Sequence, residues 1–492
     1  MLLATLFMGN ILSQYQPEKV LYFFEEISRI PRESGNERGI RDYIIAFAKN
    51  RSLEYEADDF NNVLIRKKAS KGYESSPTVI LQGHTDMVCV KTANSSHDFT
   101  KDGIELQVED GWIRAKETSL GADNGIAVAY GLALLDDDSL KHPALEVLLT
   151  AEEETTMGGA EHFDVALLKG RILINLDSEE EGYLLTSSAG GVEVNIHLPI
   201  EWKEAPVGYE SYSLKIKGLK GGHSGADIDK GRANANKLMA RLLEAIGQTM
   251  NLELVEINGG TKPNVIPSEN TAIISIPKAE EENLMDLVKT YLYVFKNEFE
   301  VSDADIKITC KKLSTGSEEV ICEEDAKKAI VLLNLLPNGI QTMSMHIQDL
   351  VESSCNLAMV ETDGKEIVMT VSIRSSVKTL LDEIATRVDM TSEVLGAEAH
   401  FHDPYPAWQF NPDSQIRMMM GEIYKEKYGK EAKMIAIHAG LECGIFDEKI
   451  EGIDLISIGP DVENAHTTEE RANIESIKNV WEFLIETLEQ LK

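Results

Sequence analysis

Three short apolar runs, each ending on histidine or carboxylate residues, constrain the fold of this chain most strongly. Residues 78–81 (TVIL) lead into Gly83-His84-Thr85-Asp86, residues 145–149 (LEVLL) into Glu152-Glu153-Glu154, and residues 172–176 (ILINL) into Asp177-Ser178-Glu179. Runs of this length and character suit strands covered on both faces. Between them, residues 125–135 (GIAVAYGLALL) read as a buried helix. Strands alternating with helices imply an α/β layer, and in such layers ligands sit beyond the carboxyl ends of the strands.

After Gly190-Gly191 the texture changes. Residues 192–198, 212–217, 271–276 and 368–373 alternate apolar with polar positions, which predicts antiparallel strands with one solvated face. Two helical segments, 233–246 and 377–395, interleave with them. The α/β texture resumes near Asp403-Pro404-Tyr405-Pro406, with a helix over 416–428, a strand over 455–458 and a closing helix. In that helix Ile474, Ile477, Val480, Trp481, Leu484, Ile485, Leu488 and Leu491 make one apolar stripe. The organisation read from this is one α/β domain (1–190 and 404–492) interrupted by an α+β domain (191–403). No repeat of solenoid period and no low-complexity linker occurs.

The 492 residues carry a net charge of −35. That argues against a nucleic-acid partner, which needs clustered Lys and Arg, and against docking on an anionic membrane. The five cysteines are odd in number and form no CxxC, which fits a reducing cytosol. No uncharged apolar run reaches 18 residues, so no membrane span is expected. The apolar start, residues 1–13, lacks a basic leader and is broken by Gly9-Asn10. It reads as a short packing helix or an extended translation start rather than a secretory signal.

Each polar cluster taken singly has a plain reading. A histidine after a strand is more often structural than a ligand, three adjacent glutamates are usually a solvated charge run, and Asp123-Asn124-Gly125 is usually a turn or helix start. Their coincidence at strand and helix edges of one domain is different, because burying so many charges without cations is costly. Imidazole and carboxylate ligands suit Zn²⁺, Mn²⁺ or Co²⁺.

The motifs LQGHTDMV (81–88), LGADNGIA (120–127), EEETTMGGA (152–160), INLDSEEEG (174–182), KGGHSGADI (220–228), HAGLECGIF (438–446) and SIGP (457–460) followed by His466 run in one order along the chain. In that order the sequence resembles the M20 metallopeptidases, in particular their aminoacyl-histidine dipeptidase branch. The resemblance implies a zinc-peptidase-type mixed sheet flanked by helices, with an inserted lid and dimerisation domain. It implies two Zn²⁺ per subunit, with Co²⁺ or Mn²⁺ as alternatives: His84 and Asp177 on one ion, Glu154 and His466 on the other, Asp123 bridging. Asp86 would orient the His84 ring, and Glu153 would be the general base. Aligning the family's Gly-Ala on Gly159-Ala160 sets that register among the three glutamates. His223 would stabilise the oxyanion, while Asn264 and Arg374 would bind substrate, Arg374 gripping its terminal carboxylate. His438 and Glu442 would belong to the substrate pocket or its support.

Thr156, Ala407 and Thr467-Thr468 depart from the family pattern without removing a ligand. His97, His142, His162, His197, His346, His400 and His402 receive no role. The function so implied is a cytoplasmic, homodimeric dipeptidase acting on Xaa-His and other unblocked dipeptides. The competing readings are another M20 amidohydrolase (aminoacylase, deacetylase or tripeptidase) and a homologue that binds without catalysis.

Overall fold

The computed structural model describes residues 10–492. The apolar start therefore lies largely outside the described residues; within them Leu12 is buried, and Glu25 accepts the backbone N–H groups of Ile11 and Leu12, each at 3.1 Å. The described residues form two compact units, one of residues 10–187, 410–436 and 441–492, the other of 188–409 and 437–440.

The first unit is built on an eight-stranded sheet ordered Glu54–Ala57, Val63–Lys67, Leu145–Thr150, Val79–His84, Ile172–Asn175, Asp454–Ser457, Tyr183–Ser188, Lys433–Ile437. The three apolar runs are neighbours at its centre. Val79–His84 pairs in parallel with both Leu145–Thr150 and Ile172–Asn175, and Asp454–Ser457 runs parallel to Ile172–Asn175. All residues of Val79–His84 and Leu145–Thr150 are buried, as doubly covered parallel strands require. The helix Ala122–Asp136 is buried on nearly every side, which explains its lack of a polar face. The closing helix Ile474–Gln490 buries Ile477, Val480, Phe483, Leu484 and Leu488, whereas Trp481, Ile485 and Leu491 lie only partly buried at the stripe's margin. Trp481 there stacks on Tyr130, with ring centroids 5.8 Å apart. A separate four-stranded sheet, ordered Val462–Glu463, Arg471–Asn473, Trp112–Ala115, Leu106–Glu109, carries the 464–470 connection.

The second unit is a nine-stranded antiparallel sheet, and its order contains a duplication invisible in the sequence. One module comprises strand Tyr209–Lys217, helix Ala235–Thr249, strands Glu253–Gly259 and Asn270–Pro277, helix Glu281–Glu298 and strand Lys307–Lys312. Numbered along the chain, its strands lie side by side in the order 4-1-3-2. The other comprises strand Gly190–Pro199, helix Glu323–Leu335, strands Val351–Asp363 and Glu366–Ser375, helix Lys378–Val394 and strand Glu398–Tyr405, again in the order 4-1-3-2. Both are β-α-β-β-α-β units. The second strands of the two modules pair antiparallel at Gly259 and Val360, so one sheet runs through both. The first module is inserted between the first strand and first helix of the second.

Candidate metal and catalytic centre

The parallel strands of the first unit end together, and their ends gather the ligand-type residues. His84 is the last residue of Val79–His84. Glu153 and Glu154 open the short helix Glu153–Thr156, which follows Leu145–Thr150 after a turn with Glu152 at φ +55°. Asp177 stands two residues beyond Ile172–Asn175, and Asp123 sits in the first turn of Ala122–Asp136. His466 arrives from the 464–470 connection. Thr156 causes no strain, because the left-handed residue there is the neighbouring Met157 (φ +52°), and the Thr156 hydroxyl accepts the Gly158 N–H at 3.1 Å.

Asp123 occupies the middle of the group. One of its oxygens lies 3.1 Å from His84 Nε2 and the other 3.1 Å from His466 Nε2. On the His84 side, Asp177 Oδ1 lies 3.4 Å and Glu153 Oε2 3.9 Å from the same Nε2. On the His466 side, Glu154 Oε2 lies 2.9 Å from Nε2. Ligand atoms of His84, Asp123 and Glu154 fall within 4.8 Å of one another. The other oxygen of Glu154 is buried and has no hydrogen-bond partner among the described residues. An orphaned carboxylate oxygen amid imidazoles and further carboxylates is the donor set of a divalent cation, and these residues fit one.

Asp86 is fully buried beneath this group. Its carboxylate lies 3.3 Å from His84 Nδ1 and accepts the Ser34 hydroxyl at 2.8 Å. It also accepts the backbone N–H groups of Glu153 and Glu154, at 3.1 and 3.2 Å, so one side chain holds both the His84 ring and the Glu153–Glu154 turn.

The electrostatics follow from crowding. Burial, together with the charges of Asp177, Glu442 and Glu154, pushes the Glu153 carboxyl well above the ordinary range. Burial and neighbouring carboxylates push Asp177 to about 6. The imidazoles go the other way. Hydrogen bonds to Asp123 and Glu154 raise His466 to about 11. Burial opposes the charged form of His84, yet Asp177 and Asp123 hold it well above the usual histidine value.

Four further residues support this centre, and one of them, Glu470, escapes sequence reasoning. Arg32, buried, donates Nη1 to the carbonyls of Thr85 and Asp86, both at 3.1 Å, and Nη2 to that of Gly121. Glu470 is 3% exposed and accepts a series of backbone N–H groups at the start of Ala122–Asp136. Glu442, whose sequence placement left pocket and support both open, is buried under the strand ends. Its Oε2 accepts Gln82 Nε2 at 2.5 Å and Thr150 Oγ1 at 2.8 Å. Burial lifts its carboxyl to about 8. Glu179 is likewise lifted to about 8 by burial and by Asp123 and Asp177. Truncating Glu442 to Ala leaves the buried Gln82 without one acceptor and opens a cavity. An expected loss of roughly 2–4 kcal/mol of stability follows, checked by denaturant melts.

The second unit gathers its own set. His223 lies on a two-stranded ladder opposite Val265, one residue from Asn264, whose carbonyl accepts the Ser224 N–H at 2.9 Å. The His223 Nδ1 accepts the backbone N–H groups of Gly225 and Ala226, at 3.1 and 3.0 Å, which leaves the proton on Nε2. Arg374, 9% exposed, donates to the Tyr405 hydroxyl at 2.8 Å. His438 Nε2 lies 2.6 Å from the Ser354 hydroxyl, in the strand position paired with Arg374. His402, given no role by the sequence, groups with Glu193 and Asp403, but it is already hydrogen-bonded to the exposed Asp403 at 2.8 Å and reads as a surface ion pair.

Burial and the nearby Arg374 charge lower His438 to about 4. Its folded value thus lies below its unfolded one, so as pH falls the unfolded chain takes up the proton first. The stability concerned is intact above about pH 6.5 and is lost as pH drops toward 4, by on the order of 3 kcal/mol in full. Melting midpoints of the wild type are therefore expected to fall more steeply between pH 7 and 5 than those of His438→Gln; parallel slopes would refute this.

The geometry can be set beside known proteins. Residues 214–302 match the peptidase dimerisation domain of the M20 type. The cytosol non-specific dipeptidase of Escherichia coli K12 is 36% identical over 480 residues, covering 98% of this chain and 99% of that protein. The crystal structure of aminoacylhistidine dipeptidase from Vibrio alginolyticus superposes with a TM-score of 0.93 at 35% identity, over 98% of each chain. The aminopeptidase PepT of Bacillus cereus shares the fold at 14% identity, with a TM-score of 0.55 over 97% of this chain and 99% of that one.

Proposed function

The chain belongs to the M20 metallopeptidase family, in its aminoacylhistidine dipeptidase branch, and from that premise we propose that it is a dinuclear metal-dependent dipeptidase hydrolysing Xaa-His and other unblocked dipeptides. The observation that carries the proposal is the central Asp123, with one oxygen 3.1 Å from His84 and the other 3.1 Å from His466. A carboxylate so shared, with Asp177 on one flank and Glu154 on the other, would suit a pair of cations. His84 and Asp177 would hold one, Glu154 and His466 the other. Three carboxylates nearly offset two dications. Zn²⁺ suits this donor set, as do Co²⁺ and Mn²⁺. When bound, the ions would supply Lewis acidity toward the scissile carbonyl and acidify the attacking water.

Glu153 takes the proton of that water and delivers it to the departing amine nitrogen. Asp86 keeps the His84 ring in register and fixes the turn from which Glu153 projects. His223, with its proton on Nε2, donates a hydrogen bond to the oxyanion. Arg374 binds the dipeptide's free carboxylate through a guanidinium fork. Asn264 and His438 contribute to the same substrate-binding group. A homodimer formed through the second unit is supported by its match to the dimerisation domain. A cytoplasmic setting is supported by the five free cysteines and by the relative's description as a cytosol dipeptidase. No helix of the described residues is long and apolar enough to cross a membrane.

The test is a metal-supplemented substrate panel containing β-Ala-His, Ala-His, other dipeptides, tripeptides and N-acetyl amino acids. Turnover of unblocked dipeptides is expected. Turnover confined to the N-acyl compounds would replace this proposal with an aminoacylase reading.

A further inference from the structure

The helix Ala122–Asp136 starts at Gly121, which has no side chain to cap it. The first N–H groups of a helix have no partner within it. Here they are met by a residue nearly 350 positions away. Glu470 Oε2 accepts the N–H groups of Leu120 and Gly121, at 2.7 and 2.9 Å, and Oε1 those of Ala122 and Asp123, at 2.8 and 3.3 Å. Four consecutive donors thus curl around one buried carboxylate. The same loop is gripped from its carbonyl side, where Arg32 donates to Gly121 O. Gly121 sits at φ +70°, and a Cβ there would come within 2.5 Å of the Arg32 guanidinium and 2.6 Å of Met87 Sδ. Glu470 and Arg32 hold the loop from opposite sides.

Asp123 is the last of the four residues so held, and Glu470 follows His466 by four positions in the connection that delivers His466 to Asp123 Oδ2. We propose that Glu470 is a positioning residue for the dinuclear centre: its carboxylate sets the backbone of Asp123 so that one oxygen faces each histidine, and it ties that setting to the segment carrying His466. The proposal rests on the reading of Asp123 as the bridging ligand. Its content goes beyond helix capping. A cap alone would affect stability, whereas a positioning carboxylate governs how tightly the second cation is held once the first is in place. Partners that orient ligands are commonly worth 10–100-fold in metal affinity.

Glu470→Gln tests this, because the amide keeps the size but turns an N–H₂ toward two of the four donors. Zn²⁺ binding by calorimetry gives stoichiometry and affinity, and the electron paramagnetic resonance of the Mn²⁺-loaded protein reports whether two ions are magnetically coupled. Asn473→Ala serves as the control, since Asn473 caps the helix Ile474–Gln490 through the Ser476 N–H at 3.0 Å. Glu470→Gln is expected to bind the first ion nearly normally, lose about 10–100-fold in affinity for the second, and lose the coupled Mn²⁺ signal. Asn473→Ala, destabilised by melting, is expected to keep both ions. Should Glu470→Gln not fold, Glu470→Asp, with the charge kept and the reach shortened, gives the same comparison. Wild-type affinity and coupling in a folded Glu470 variant would overturn the proposal while leaving the dinuclear reading intact. Absence of a coupled pair in the wild type would overturn both.

Discussion

Glu153→Gln is expected to lower kcat by at least about 10³-fold while leaving metal content, folding and KM close to wild type. Positioned general bases contribute about 10²–10⁴-fold, and here one carboxylate is asked both to receive and to return the proton. The substitution keeps the shape and removes only basicity. The Glu153 backbone N–H still reaches Asp86, so the turn carrying Glu154 stays in place. The elevated affinity of Glu153 for a proton stems first from burial and then from Asp177, Glu442 and Glu154. Cations held by His84, Asp123, Glu154, Asp177 and His466 would offset those charges and favour the ionised form of Glu153. Steady-state kinetics with metal analysis on the same sample check the prediction, and full activity in the Gln variant would remove Glu153 from the mechanism.

The second large effect concerns protons released by metal. Without cations, Asp123 and Glu154 keep His466 protonated far above neutrality, and His84 is held charged by Asp177 and Asp123. Only a neutral imidazole can coordinate, so each histidine gives up a proton on binding. The folded value of His466 lies above pH 7 and that of His84 is shifted in the same direction, so the apparent affinity for the pair rises with pH through the neutral range, roughly tenfold per unit for each proton displaced. Glu179, at about 8, adds a further source. Calorimetric titrations with Zn²⁺ at pH 7, in buffers of different ionisation enthalpy, are expected to report at least about one proton released, that of His466. A buffer-independent enthalpy would contradict the arrangement. Removing the ions with a chelator is expected to abolish turnover, and readdition to restore it.

What the sequence disclosed follows from the range of the interactions. The strand ends at His84, Glu153-Glu154 and Asp177 were legible because a buried parallel strand is an uninterrupted apolar run and its polar end is the next residue. Glu470 could not be read as a clamp, since its four partners lie in a loop nearly 350 positions earlier. The strand Val351–Asp363 contains Ser353-Ser354-Cys355-Asn356, a stretch with no alternation, and was not anticipated. Glu281–Glu298 and Glu323–Leu335 also went unread: the first buries only Leu284, Val288 and Phe295, so its apolar signal is thin. The duplicated modules share an order of strands, not a repeated sequence, because a β-α-β-β-α-β unit asks only for burial periodicity from its residues.

The nesting of those modules bears on how the chain can be assembled as it is made. The inner module, from Tyr209 to Lys312, is contiguous, and each of its strands has a neighbour within the module once that stretch has left the ribosome. The outer module's first strand, Gly190–Pro199, must wait for Glu366–Ser375 before it gains a neighbour. The first unit waits longest. Asp454–Ser457 lies between Ile172–Asn175 and Tyr183–Ser188, so the sheet that presents His84, Glu154 and Asp177 stays open at its middle until residues near 457 are synthesised. Domains generally fold as units during synthesis, and long-range strand pairing is slow. Completion of this sheet is therefore deferred past that of the inner module, and the nascent chain carries an unfilled strand slot beside His84, Glu154 and Asp177 for some 270 residues.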